Sequence, residues 1–164
     1  MSNHASACLL GALAIVMFSF APGARGEISA WDQVRVTALA KELTTATDAL
    51  DDTFTKQPQP GRGSMQSQAY FRLKQLVRMI NSEAQEIDHS LEKGEGREQT
   101  LPIFENLMQL ARSARDDAAR VFVAQDVGQR AAEVRGVLNQ LGPYYDPDFA
   151  ALAPQPNVEP GATR

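Results

Sequence analysis

The sequence predicts an all-α fold, a left-handed antiparallel up-and-down four-helix bundle. Apolar residues recur at spacings of three and four through most of residues 29–141, the period of helices that pack nearly parallel to one another. Glycine and proline clusters interrupt this pattern at intervals suited to helix ends. The alternative is three long helices with a kinked third.

The first helix is predicted to begin at Ser29, because Ser29 and Asp32 form a Ser-x-x-Asp capping pattern. It ends near Thr55, before the Gln-Pro-Gln-Pro-Gly segment 57–61, which cannot continue a helix. Its core stripe has the spacing of a heptad repeat and consists of Val36, Leu39, Leu43, Ala46, Leu50 and Thr53.

The second helix is predicted from Ser64 or Ser67 to Lys93, followed by Gly94 in the left-handed position after a helix end. At 1.5 Å per residue it is roughly 40 Å long. Its core stripe is Ala69, Leu73, Leu76, Ile80, Ala84, Ile87 and Leu91.

The third helix opens at Thr100 with Pro102 in its first turn. The apolar phase then fails by about one residue, which predicts a break between Val123 and Asp126, with Asp126 capping the fourth helix. The alternative is one kinked helix over residues 101–141. The two stripes are Phe104, Leu107, Met108, Ala111, Ala118 and Phe122 in the third helix, and Val127, Ala131, Val134, Leu138 and Leu141 in the fourth.

Residues 1–26 have the pattern of a secretory signal peptide, with an apolar run from Ala5 to Phe20 and cleavage after Ala21 or Ala24. No Lys or Arg precedes the run, so an uncleaved anchor is the rival interpretation. The run has about 16 residues, fewer than the ~20 that span a bilayer. Cleavage removes Cys8, the single cysteine, and leaves His89 as the remaining histidine. The sequence therefore predicts a periplasmic or secreted protein with no transmembrane span after cleavage.

The mature chain is predicted to comprise a bundle domain, residues 27–150, and a disordered proline-rich tail, residues 151–164. Removing the leader takes away one of 16 basic side chains and none of the 20 acidic ones, so the net charge changes from −4 to −5. Such a surface is not suited to nucleic acid. About 138 residues suffice for one packed core.

Two aromatic clusters lie near opposite ends of the mature sequence. On a helical wheel, Trp31 and Val34 point away from the leucine stripe of the first helix. In an even-numbered antiparallel bundle, the segment carrying Tyr144, Tyr145 and Phe149 returns beside them. We expect these three rings to cover Trp31 and Val34; the alternative is an exposed aromatic patch for a partner.

One arginine is predicted close to the core stripe of the third helix, where it needs a partner. If the second and third helices form a hairpin closed near residue 97, Arg115 lies opposite residue 79, within a turn of Glu83. We expect an ion pair between Glu83 and Arg115, joined by Arg112, which either sets helix register or forms a pocket for a small anion.

No catalytic residue, metal ligand or cofactor-binding residue is predicted. Glu86 and His89 have the Glu-x-x-His spacing of di-iron bundles, but the mature chain holds no second histidine, and His89 is expected to face solvent. Asp48 and Asp52 fall on the outward face of their helix. Covalent haem attachment is excluded because Cys-x-x-Cys-His is absent from the sequence.

These observations favour an exported, non-catalytic helical-bundle protein that binds an unidentified protein partner in the cell envelope. The alternative is a periplasmic bundle that senses a small ligand or a metal. A heptad seam can be satisfied within one chain or between two, so the sequence is compatible with a monomer and with a homo-oligomer.

Overall fold

The computed structural model describes residues 28–58, 65–121, 123–147 and 149. This part of the chain is all-helical, and its four helices pack together as a four-helix bundle, which confirms the predicted fold class. The elements are α1 (Gln33–Thr55), α2 (Met65–Glu92), α3 (Arg97–Ala118), α4 (Gln125–Leu141) and a 3-10 turn (Gly142–Tyr144). The predicted leader, the tail from residue 151 and Phe122 lie outside the described residues.

The start of α1 lies later than predicted, whereas its end at Thr55 agrees. Asp32, not Ser29, is the N-cap, and its carboxylate accepts a hydrogen bond from the backbone N–H of Arg35 at 3.0 Å. Ser29 lies in the segment that precedes the helix, where its N–H donates to the carbonyl of Pro143 at 3.0 Å. The residue expected to cap a helix therefore connects the two ends of the described chain.

The connection between α2 and α3 is a tight turn at Gly94, as predicted. Gly94 has a φ of +86°, the left-handed conformation that favours glycine. The start of α3 at Arg97 is three residues earlier than the predicted Thr100. Gln99 caps this end, because its side-chain oxygen accepts a hydrogen bond from the N–H of Gly96 at 3.1 Å. The earlier start leaves residues 93–96 as the connection between α2 and α3.

The predicted break between the third and fourth helices is present, so the single kinked helix over 101–141 is not formed. Ala124, not Asp126, occupies the N-cap position. Asp126 lies in the first turn of α4, where its carboxylate accepts hydrogen bonds from the N–H of Val127 at 2.8 Å and from the Gln57 amide at 3.0 Å. An acidic side chain in the first turn of a helix also accepts a hydrogen bond from a free backbone N–H. Asp126 therefore correctly indicated a helix start, but it lies two residues after the N-cap.

Contacts between side chains establish that neighbouring helices run antiparallel. Along α1 and α2, the buried Thr47 hydroxyl meets the Asn81 amide oxygen at 2.9 Å, and the Thr44 hydroxyl donates to the carbonyl of Ala84 at 3.2 Å. Arg35 near the start of α1 donates to Gln140 near the end of α4 at 3.1 Å. Because α1 packs against both α2 and α4, it buries a wider arc than one seam, which explains its additional buried residues, Ala40, Thr47 and Phe54.

The fourth side of the bundle differs from the other three. The backbones of α1 and α2, α2 and α3, and α1 and α4 approach closely along their lengths, whereas α3 and α4 stay farther apart. Core side chains from both helices, including Phe104, Met108 and Leu138, are nevertheless buried. Within the described residues, the side between α3 and α4 is thus the most widely spaced of the four.

Candidate functional site

Four aromatic rings gather at the end of the bundle where α1 begins and α4 ends, and we call this group the aromatic end. The ring of Tyr145 stacks on Phe104 at 4.3 Å between centroids and meets Trp31 edge-on at 5.5 Å. Phe149 lies against Phe104 at 6.3 Å. Tyr145 is 4 % exposed, so it bridges α3 to the segment before α1 from inside the fold.

A network of hydrogen bonds holds the aromatic end together. The Tyr145 and Thr100 hydroxyls are 2.9 Å apart. The amide of Gln33 accepts from the Trp31 indole at 2.8 Å and donates to the carbonyls of Leu91, in the last turn of α2, and Glu95, in the connection that follows. Burial raises the pKa of Tyr145, so its hydroxyl stays protonated at neutral pH. These contacts join the segments before α1 and after α4 to α2 and α3, and so stabilise this end of the bundle.

The predicted aromatic cover is only partly formed. Trp31 and Tyr145 are in contact, and Phe149 lies in the same cluster, but Val34 is 82 % exposed and none of the rings covers it. Tyr144 is half-buried beside the core. The expected cover is present for Trp31, which precedes α1 and lies beside the returning segment. It is wrong for Val34, which lies inside α1 and points outward.

A shallow depression beside the aromatic end is lined by Trp31 and by residues 96–99 at the start of α3. The Arg97 guanidinium stands 5.5 Å from the centre of the Trp31 ring and donates to the carbonyl of Ser29 at 3.1 Å. Its Nε atom is buried and has no hydrogen-bond partner among the described residues. The exposed Glu98 carboxylate also lines the depression. A second shallow depression lies between α1 and α4.

The expected polar cluster of Glu83, Arg112 and Arg115 is not assembled. Glu83 accepts a hydrogen bond from Asn106 at 2.7 Å, Arg115 pairs with its neighbour Asp116 at 3.2 Å, and Arg112 is exposed. The register explains the difference. The Glu83–Asn106 contact is centred on the turn at residues 94–95 rather than at 97, which sets Arg115 level with residue 74 instead of 79.

The ion pair that does join α2 to α3 is Arg72 with Asp117, in a two-pronged arrangement centred on the same turn. The side chain of Asp117 is 10 % exposed and that of Arg72 57 %. The hydrogen bonds and charge of Asp117 raise the pKa of Arg72 further above its already high value. Sequence patterns did not indicate this pair, because it depends on the register of the hairpin, whose centre lies at residues 94–95 and not at 97.

A carboxylate with a perturbed pKa lies between α1 and α2. One oxygen of Asp88 is buried without a hydrogen-bond partner among the described residues. Its pKa is raised, first by burial and then by the nearby Glu92, while Lys41 and His89 act in the opposite direction. Lys41 and Glu92 themselves approach to 3.9 Å. This seam therefore carries a partly buried carboxylate whose pKa is raised.

The other side chains considered as possible metal ligands do not form a site. His89, Asp48 and Asp52 are exposed, in agreement with the wheel. Within the described residues, no three His, Cys, Asp or Glu side chains are grouped closely enough to hold a metal ion. Among the same residues, no helix is both long and apolar enough to cross a bilayer.

No protein-family model, curated protein or solved structure matches this chain. The most distinctive surface that the fold creates is the wide side between α3 and α4.

We call this side the α3–α4 groove and define it by its half-buried or exposed small residues, Ala111 and Ala118 on α3 and Gly128 and Ala131 on α4. At the other end of this side, Tyr145 and Phe149 lie against Phe104 and fill the space. Towards the connection between the helices the space is open, since a Cβ atom placed on Gly128 would meet nothing within 4 Å.

Proposed function

We propose that this protein is an exported, non-catalytic helical module that binds a protein partner in the cell envelope. The observation that carries the proposal is the α3–α4 groove, because it is the side on which two antiparallel helices stay apart and expose small residues. A groove between helices is the shape that accepts a helical segment of another protein.

The arrangement of the interior supports a binding role over catalysis. The described core is filled by aliphatic and aromatic side chains, and the two depressions are shallow and open. Catalytic sites usually bring groups with shifted pKa values together in a cleft. Here the acids with raised pKa values, Asp88 and Tyr145, lie at separate places, one on the α1–α2 seam and one in the aromatic end.

The first test is native mass spectrometry of the full chain, expressed with its own leader and recovered from the export compartment. We expect a mass that corresponds to cleavage after Ala21 or Ala24, with no added small molecule. An uncleaved chain would contradict export by a cleaved signal. A stoichiometric added mass of a metal, haem or small acid would contradict the binding-module proposal and favour a sensor.

The partner itself is tested by site-specific photo-crosslinking in the export compartment. A photoreactive amino acid replaces Gly128 in the groove or Phe71 on the outer face of α2, both exposed. We expect a discrete crosslinked protein from at least one position. Failure at both positions would count against a binding module on either face.

A second candidate function is the sensing of a small acid, supported by the depression that holds Trp31 and Arg97. A ligand that binds only the folded state raises thermal stability. A thermal-shift screen of small carboxylic acids and metal ions tests this function, and a shift that disappears in Arg97→Gln would establish it.

A further inference from the structure

The depression beside the aromatic end carries side chains of both charges, and these specify a ligand more closely than an acid in general. On the premise of the second candidate function, that the protein senses a small acid, we propose that this depression binds a free α-amino acid with a large apolar or aromatic side chain. Arg97 receives the carboxylate, Glu98 receives the ammonium group, and the Trp31 ring contacts the side chain.

The guanidinium of Arg97 is held in place but lacks part of its hydrogen bonding. It donates to the carbonyl of Ser29 at 3.1 Å and lies 5.5 Å from the centre of the Trp31 ring. Its Nε atom is buried without an acceptor, and no carboxylate pairs with it within the described residues. A buried donor without an acceptor costs free energy. A ligand carboxylate, which accepts two parallel hydrogen bonds from one guanidinium, supplies the missing acceptor.

The first turn of α3 adds backbone donors beside the same guanidinium. The first N–H groups of a helix have no partner inside the helix, and a side chain at the N-cap commonly accepts from one of them. The N-cap of α3 is Gly96, which has no side chain to accept. Residues 96–99 line the depression, so a carboxylate bound to Arg97 also lies at the end of α3 that the helix dipole makes favourable for negative charge.

The carboxylate of Glu98 distinguishes an amino acid from a simple acid. It is exposed, lines the same depression, and forms no ion pair in the part of the chain that the structure describes. A carboxylate at this place repels a ligand that is only an anion, whereas it attracts the ammonium group of a zwitterion. Successive residues of a helix point about 100° apart. Arg97 and Glu98 therefore present opposite charges to a ligand from different directions.

The indole of Trp31 provides the apolar wall of the depression. Its N–H is bonded to the Gln33 amide at 2.8 Å, and the Tyr145 ring meets it edge-on at 5.5 Å, so the ring is fixed in place. Trp31 is half-buried and lines the depression, which leaves part of its ring open to a ligand. Covering that surface with an apolar or aromatic side chain is favourable, so a large side chain should bind more tightly than glycine.

Trp31 is the single tryptophan of the chain, so its fluorescence reports directly on this site. The experiment titrates L-phenylalanine into the full mature chain, with excitation at a wavelength that phenylalanine does not absorb. We expect a saturable change in emission with a Kd on the order of 1 mM, because the depression is shallow. Glycine should bind about 10-fold more weakly. No saturable change with L-phenylalanine would overturn the proposal.

Two analogues of L-phenylalanine separate the contributions of its charges. N-acetyl-L-phenylalanine keeps the carboxylate and loses the ammonium group, whereas L-phenylalaninamide keeps the ammonium group and loses the carboxylate. Each should bind about 5-fold more weakly than L-phenylalanine, or worse. Equal binding of the N-acetyl compound would overturn the amino acid as the ligand and leave the sensing of a small acid standing. If no acid binds, both fail, and the crosslinking experiment still tests the protein partner separately.

Arg97→Gln should weaken binding of L-phenylalanine by about 10-fold or more. Arg112→Gln is the matched control, because Arg112 is an exposed arginine of α3 that does not line the depression. An equal loss in the control would refute the depression as the site. Circular dichroism checks the fold of Arg97→Gln, since this substitution also removes the bond to Ser29.

Glu98→Gln keeps the proposal testable if Arg97→Gln does not fold, because Glu98 is exposed. This variant should weaken the binding of L-phenylalanine but not that of N-acetyl-L-phenylalanine, which has no ammonium group to lose a partner. A purely structural effect would weaken both ligands alike. Equal losses for the two ligands, or no loss for L-phenylalanine, would overturn the role of Glu98 and with it the amino acid as the ligand.

Discussion

At the scale of the residue, Gly142 is a position where the lack of room for a side chain, and not the backbone conformation, requires glycine. Its φ of −51° is available to any residue. A Cβ atom at this position would lie 2.4 Å from three atoms of the Phe149 ring, closer than any real contact. The glycine therefore permits Phe149 to lie over the end of α4 and reach Phe104.

Replacing Gly142 with alanine should displace the Phe149 ring and destabilise the fold by about 1–3 kcal/mol, the usual range for overpacking. Urea unfolding measures this change. Gly136→Ala is the matched control, because its Cβ would meet nothing within 4 Å in the middle of α4, and it should stabilise by about 0.5–1 kcal/mol. Equal effects from both substitutions would contradict the packing argument.

Asp88 leads to a prediction about pH. Its folded-state pKa is raised, chiefly by burial, so the ionised form costs stability that the protonated form does not. Stability is therefore lost as pH rises from the ordinary carboxyl range through the raised pKa. We expect Asp88→Asn to raise the urea midpoint near pH 7 and to have less effect in acid. Asp52→Asn, at an exposed position of α1, is the matched control.

At the scale of the element, the register of α3 along α2 is reported by the Arg72–Asp117 pair. Removing Arg72 alone leaves the buried Asp117 carboxylate without its partner, so Arg72→Ala should cost more than removing both side chains together. A double-mutant cycle in urea measures the coupling.

The exposed Arg130–Glu133 pair provides the comparison, with an expected coupling of about 0.3–0.5 kcal/mol. The Arg72–Asp117 coupling should exceed it because Asp117 is buried. Equal coupling in the two pairs would show that the α2–α3 pair behaves as an ordinary surface pair.

The join between α3 and the end of α4 depends on the Tyr145 hydroxyl as well as its ring. Tyr145→Phe should destabilise by about 1 kcal/mol, because it removes the bond to Thr100 while keeping the stack on Phe104. Thr100 retains its bond to the carbonyl of Gly96 at 3.0 Å, so no hydroxyl is left without a partner. Tyr144→Phe, at a half-buried neighbour, should be close to neutral in the same unfolding assay.

At the scale of the whole molecule, the two ends of the described chain close the bundle together. Truncation after Leu141 removes the Pro143 carbonyl that binds Ser29 and the ring that contacts Trp31. We expect lower stability and a shift of Trp31 fluorescence to longer wavelength. Deleting only residues 151–164 is the control and should leave the emission unchanged. Unchanged emission after the longer truncation would contradict the closure.

Much of the fold follows from local patterns. The end of α1, the turn at Gly94 and the break before α4 were all predicted, because proline, glycine and a lost apolar phase act within a few residues. The caps at Ser29 and Asp126 were wrong because several side chains near a helix start can satisfy its free donors. The predicted ion pair between Glu83 and Arg115 was wrong because the hairpin centre lies two to three residues earlier than expected. Such a shift changes the residue of α2 that lies level with a given residue of α3 by about five positions.

The sequence by itself determined that the described part of the chain is helical and which face of each helix is apolar, since helical period and punctuation are local properties. It left open whether residues 101–141 form one kinked helix or two. Only the tertiary structure decided that Asp117 is buried against Arg72, that Tyr145 joins Trp31 to Phe104, and that α3 and α4 stay apart. Those features depend on register and on the distances between helices, which are set by all the packed side chains together and leave no signal in a single stretch of sequence.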